Sequence, residues 1–108
     1  MKEECLKILK TLPREKAFYF FTSIGNYTGE SASSLKEFME KINEVNIKSL
    51  EFHLYRGDFE KWIDETLEDK ELAAEIRSLK SLNYSGTTLK EHLFSLVAKR
   101  YKELTSSF

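Results

Sequence analysis

From Ser34 onward the apolar residues recur at intervals of three and four, and this period constrains the fold more than any other feature of the sequence. Leu35, Phe38, Met39, Ile42 and Val45 make one stripe, and Phe59, Trp62, Ile63 and Leu67 another. Leu72, Ala73, Ile76, Leu79 and Leu82 follow, and then Leu89, Leu93, Leu96, Val97, Tyr101 and Leu104. Each is the buried face of an amphipathic helix. The boundaries carry matching signals. Ser34 with Glu37 and Thr88 with Glu91 have capping-box spacing, Asp69 is a third N-cap, and residues 83–87 read as a turn. Gly57 followed by Asp58 reads as a left-handed stop and a new N-cap.

Two stretches are ambiguous. Over residues 47–56, Leu50, Phe52 and Leu54 alternate like a strand, whereas Ile47, Leu50 and Leu54 line up on a helix. A lone strand leaves its backbone unsatisfied and no second convincing strand is evident, so helix is expected. Over residues 17–24 the aromatics Phe18, Tyr19, Phe20 and Phe21 suit a buried strand or a buried helix. Ala17, Phe21 and Ile24 fit a helical stripe with Gly25 as its C-terminal cap, and helix is again expected. Residues 25–33 read as a loop. Ahead of them, Cys5, Ile8, Leu9 and Leu12 share a helical face, and Pro13 ends that helix or opens the next. The expectation is an all-α, compact single-domain bundle of five or six short helices spanning residues 1–108. At least about four-fifths of the residues should be helical, with no multi-stranded sheet.

Charge narrows the partners. Formal net charge is −1, without the basic excess that phosphate binding needs, so no nucleic-acid role is expected. The charges do segregate. Residues 58–75 hold eight acids against Lys61 and Lys70, and residues 77–102 hold six bases against Glu91. This split predicts neighbouring helices of opposite sign, attracting each other or a second copy. High aromatic content, 13%, leaves two outcomes open for Tyr19, Phe20, Tyr27, Phe52, Tyr55 and Tyr84: a generous core or a partner-binding patch. A homo-oligomer, most simply a two-fold dimer, is expected on both grounds. The lone Cys5 makes no intrachain disulfide, the N-terminus lacks a signal-peptide pattern, and no apolar run reaches the roughly 20 residues of a membrane span. A cytoplasmic location follows. Abundant Glu and Lys with no Gln leans toward a thermophile.

The run of residues 50–63, with residues 67–73 after it, resembles an uncharacterised prokaryotic family of unknown function, frequent in archaea. Its shared positions fall here on Phe52, His53, Gly57, Asp58, Phe59, Trp62, Ile63, Asp69, Leu72 and Ala73. Upstream, the aromatic run, Gly25, the Thr28-Gly29 pair, Ala32, Ser34, Leu35, Glu37 and Phe38 are also similar, so the resemblance covers roughly residues 17–101. It implies a small helical domain and supplies no activity. This chain departs from the pattern at Glu68, where related sequences usually have Gly, which implies a differently shaped turn.

His53 is the sharpest chemical candidate. It is either a base or ligand working with Asp58, or a packed imidazole bonded to a carboxylate or carbonyl at the Gly57 turn. A motif that mixes it with Phe52, Phe59, Trp62 and Ile63 reads as packing around a tight corner, so these residues and Asp69 are expected to be structural. No catalytic residue is assigned. With only His53, His92 and Cys5 as soft ligands, neither a metal nor any other cofactor is expected. The stretch 25–31 fails the phosphate-loop pattern, having Glu30 in place of the lysine. A small anion at the following helix start remains an alternative, using Thr28, Gly29, Ser31, Ser33 and Ser34, against plain capping by the same hydroxyls. The leading expectation is a non-catalytic helical interaction module that self-associates. A small ligand- or anion-binding regulatory domain comes second, and an enzyme using His53 and Asp58 third.

Overall fold

The computed structural model describes residues 2–106. Its elements run α1 (Lys2–Ile8), a 3-10 turn (Arg14–Lys16), β1 (Phe18–Phe21), β2 (Tyr27–Ala32), α2 (Leu35–Glu44), α3 (Ile47–Arg56), α4 (Asp58–Glu65), α5 (Lys70–Lys80) and α6 (Gly86–Thr105). Helices account for 65% of the residues, so the helical class holds while the four-fifths expectation does not. The difference is a two-stranded antiparallel hairpin where a helix and a loop were expected.

The hairpin departs from helix for a physical reason. Phe18 and Phe20 are buried, and Tyr19 and Phe21 on the opposite face are half-buried, with both of these rings against Tyr27. Period-2 burial is therefore present but hidden, because the outward positions are aromatic too. The strands pair Phe18 with Ala32, Tyr19 with Ser31 and Phe21 with Tyr27, so Phe20 faces three residues of β2. This bulge passes through Gly29 at φ +89°, a backbone region that Gly enters without strain. Thr28 Oγ1 donates to the Phe20 carbonyl at 2.8 Å, replacing the backbone donor that the bulge moves away.

Elsewhere the stripes behave as expected, except that Leu82 falls past the end of α5 and is exposed. Leu35, Phe38 and Ile42 of α2, Leu50 and Leu54 of α3, and Phe59 and Ile63 of α4 are fully buried with Leu72, Ile76, Leu89, Leu93 and Val97 in one core. Ser34 caps α2, accepting from the Glu37 N–H at 3.1 Å, while Glu37 accepts from the Ser33 N–H at 2.8 Å. The Thr88–Glu91 box does not form. Helix α6 starts earlier, at Gly86, whose N–H donates to Glu51 at 2.8 Å, and this fixes its start against α3.

Gly57 sits at φ +83° and joins two helices with no linker between them. Its N–H bonds the carbonyls of His53 and Leu54 to end α3, and the same residue is the N-cap of α4. Asp58, expected to cap α4, is instead its first residue, and its carboxylate is turned elsewhere.

The charge split is met in part within the chain. Glu60 of α4 lies between Arg77 and Lys80 of α5, at 2.7 Å from each. Burial pushes its carboxyl upward, but the two cations outweigh that and hold it below its ordinary value. Arg100 of α6 reaches Asp69 and Glu71. Among the described residues no helix is long and apolar enough to cross a membrane.

Candidate functional site

His53 stands on the last turn of α3, 4% exposed, with both ring nitrogens engaged. The Phe21 N–H donates to Nε2 at 2.8 Å. Nε2 must therefore present its lone pair, the proton belongs on Nδ1, and Nδ1 donates to Asp58 Oδ2 at 2.8 Å. Burial lowers the histidine's pKa, the Asp58 carboxylate raises it by hydrogen bond and charge, and nearby Arg56 lowers it again, with a net fall. The neutral ring is the form that fits, since a proton on Nε2 would confront the Phe21 N–H.

The Trp62 indole N–H donates to the Lys16 carbonyl at 2.9 Å, just ahead of β1. The side of β1 away from β2 is thus satisfied at one end by Trp62 and at the other by His53, side chains of α4 and α3 standing where a third strand would be. A two-stranded hairpin is marginal alone, and these bonds, with the aromatic cluster beneath, fix it to the helical body. In that cluster the Phe18 ring lies 4.8 Å from His53, 5.1 Å from Phe59 and 5.6 Å from Trp62, centroid to centroid.

Beside this junction is an open pocket of about 560 Å³, between the hairpin tip and the α3–α4 corner. Phe18, Phe21, Phe52 and Trp62 supply its apolar wall, and Ser23, Ile24 and Gly25 of the tip form one lip. The opposite lip is charged. Arg56 lies over the Phe52 ring at 4.8 Å with Nε 3.3 Å from Asp58 Oδ2, and Lys61, Glu65 and Thr66 continue along α4. A volume of this size with aromatic walls and a few polar groups is of the kind that holds a small molecule or a partner's side chain.

Six of the motif residues therefore come together here: Phe52, His53, Gly57, Asp58, Phe59 and Trp62. Ile63 is fully buried behind them. Asp69 is elsewhere, capping α5 through the Leu72 N–H at 3.1 Å and pairing two-pronged with Arg100 at 2.8 and 3.1 Å. The weaker candidates do not converge. Thr28, Gly29 and Ser31 belong to β2, and at the start of α2 the groups that an anion would use are taken: the Glu37 carboxylate accepts the Ser33 N–H, and the Ser34 hydroxyl accepts the Glu37 N–H. Among the described residues no three or more His, Cys, Asp or Glu side chains gather as a metal site requires.

Sequence reasoning missed Phe21, Ile24, Arg56, Lys61 and Glu65. The first is recognised through its main chain, which leaves no side-chain signature. Lys61 and Glu65 could have been found by asking which charges share a helical face with Asp58, and Arg56 by its place across the Gly57 break.

Fold and pocket define a small helical domain carrying a strand hairpin on the corner between two of its helices. The chain belongs to the family of unknown function DUF5752, whose pattern matches residues 14–107, everything from the 3-10 turn onward. No curated protein and no solved structure matches it.

Proposed function

We propose that this domain is a non-catalytic interaction module and that the pocket between the hairpin tip and the α3–α4 corner is its binding surface. The observation that carries the proposal is the state of His53. An open pocket holding His and Asp at bonding distance would favour an enzyme, but here the Nε2 lone pair already accepts the Phe21 N–H. Asp58 is bonded to His53 and paired with Arg56. His53 cannot take a proton from a substrate without undoing the junction that builds the pocket, and without a free histidine Asp58 has no relay partner. What remains for a ligand is apolar wall and charged rim.

We infer further that the relatives are prokaryotic and largely archaeal and share the Phe52-His53 to Asp69 motif, and that the protein is cytoplasmic, with a thermophile's Glu- and Lys-rich composition.

Indole, a compact aromatic probe, tests the binding surface by amide chemical-shift mapping. Shifts concentrated at residues 23–25, Phe52, Arg56 and Lys61 are expected. Shifts centred on another face, or none up to about 10 mM in a sample that sediments as monomer, where even feeble pocket binding registers, would remove the pocket from the account.

A further inference from the structure

Ile24 is 84% exposed, the most exposed large apolar side chain among the described residues, and it stands on the lip of an aromatic-walled pocket. A branched aliphatic group at the tip of a turn is costly to leave in water, and Phe52 and Trp62 offer the surface that would cover it. Its own pocket leaves it uncovered, lining the lip without enclosing it. The opposite lip supplies a second, independent feature. Asp58, Lys61, Trp62 and Glu65 all line the pocket from α4, at the spacing of one helical face. Among the described residues, Lys61 and Glu65 form no side-chain hydrogen bond or ion pair; Lys70, which senses Glu65 through space, is bonded to Asp64. An exposed cation and an exposed anion one turn apart are self-complementary under a two-fold axis. Laid antiparallel, two such faces bring each Lys61 to the other's Glu65.

We propose that the pocket's occupant is a second copy of this chain, in a two-fold dimer. Ile24 of each copy enters the pocket of the other, and Lys61 and Glu65 pair reciprocally across the axis. The arrangement is isologous, so it closes at two copies and leaves no pocket open for a third. It rests on the reading of the pocket as a binding surface and names what fills it. The intrachain pairing of Glu60, Asp69 and Glu71 takes up part of the long acidic and basic stretches, and Lys61 and Glu65 are the unpaired charges that stand on the pocket's lip.

Sedimentation equilibrium from about 1 to about 100 μM is the test, a range that resolves dissociation constants near micromolar. Wild type should pass from monomer to dimer. Ile24→Asp should weaken the dimer about 100-fold, since every dimer loses two buried side chains. Lys61→Glu and Glu65→Lys should each weaken it, because each sets like charges face to face, and the double swap Lys61→Glu with Glu65→Lys should restore it. All three positions are exposed, so circular dichroism should be unchanged and a loss of dimer cannot be laid to misfolding. A dimer indifferent to Ile24→Asp, or a double swap as weak as the singles, overturns the proposal. A wild type that stays monomeric while indole still shifts the pocket amides overturns the second copy as occupant but leaves the binding surface standing. A monomer that indole leaves unperturbed removes both.

Discussion

His53 and Asp69 are both buried polar side chains near a helix end, and they hold the molecule together in opposite ways. His53 fixes a helix to a strand, and its partner on the strand side is a backbone N–H that no substitution of Phe21 other than Pro would remove. Asp69 fixes a helix to a helix through a charge pair with Arg100, two side chains that are each replaceable. The first bond is directional and needs the neutral ring. The second is ionic and two-pronged, and it also contributes a cap. The pocket beside the first contact has aromatic walls, whereas the one beside the Asp69–Arg100 pair is lined mostly by charged side chains.

The largest expected effect tests how much of the hairpin's attachment is packing. Trp62→Ala should lower stability by about 3–5 kcal/mol in chemical denaturation, and Trp62→Phe, which keeps most of the ring contact and loses the bond to Lys16, by much less. Equal losses would mean that the indole N–H matters more than the cluster. Asp69→Ala comes next, at about 3 kcal/mol, because it strands a mostly buried Arg100 and removes a cap, although Glu71 stays within reach.

His53→Ala should cost about 1–3 kcal/mol for the unpaired Phe21 N–H, and hydrogen exchange at Phe21 should rise while the Leu72 amide is unchanged. The same site sets a pH signature. Its folded pKa lies below the unfolded value of about 6.5, so the unfolded chain takes up the proton first as pH falls. Its contribution is complete above about pH 6.5 and is lost on descent toward the folded pKa. Denaturation curves between about pH 7 and 5 should therefore show wild type losing stability that the His53→Ala variant has already lost. Parallel slopes would refute the assignment. The smallest effect sharpens the Asp69 side. Glu68, just before it, adopts φ +63°, strained for any residue but Gly, while its carboxylate reaches Lys7 and Lys10 of the N-terminal segment. Glu68→Gly should raise the melting temperature slightly, relief of strain outweighing the loss of two exposed pairs.

Much of this was legible in the sequence. The period of three and four located α2, α4, α5 and α6, the lack of a pairing strand decided for helix over residues 47–56, and residue type picked Gly57 as the break and Asp69 as a cap. Those features are local or depend on the residue's own type. The hairpin was not legible, because Tyr19 and Phe21 erase the contrast that marks a strand and the bonds that satisfy β1 come from His53 and Trp62, 32 and 46 residues further along the chain from their partners. The Thr28-Gly29 pair was noticed without its use, a bulge. Asp58 was placed correctly at the corner with two roles open to it, the cap and a bond to His53, and the structure shows the second. A cap and a histidine partner ask for the same carboxylate, and only the fold decides between them.

The attachment of β1 also bears on solubility. Four successive aromatics, Phe18–Phe21, make the kind of short, uncharged, strand-forming segment that stacks with copies of itself when its edge is free. Here the Phe21 amide and the Lys16 carbonyl, where an incoming strand would begin to pair, are already taken by an imidazole and an indole. The same two side chains that hold the hairpin in place also shield a sticky stretch of chain from its neighbours in a crowded cell.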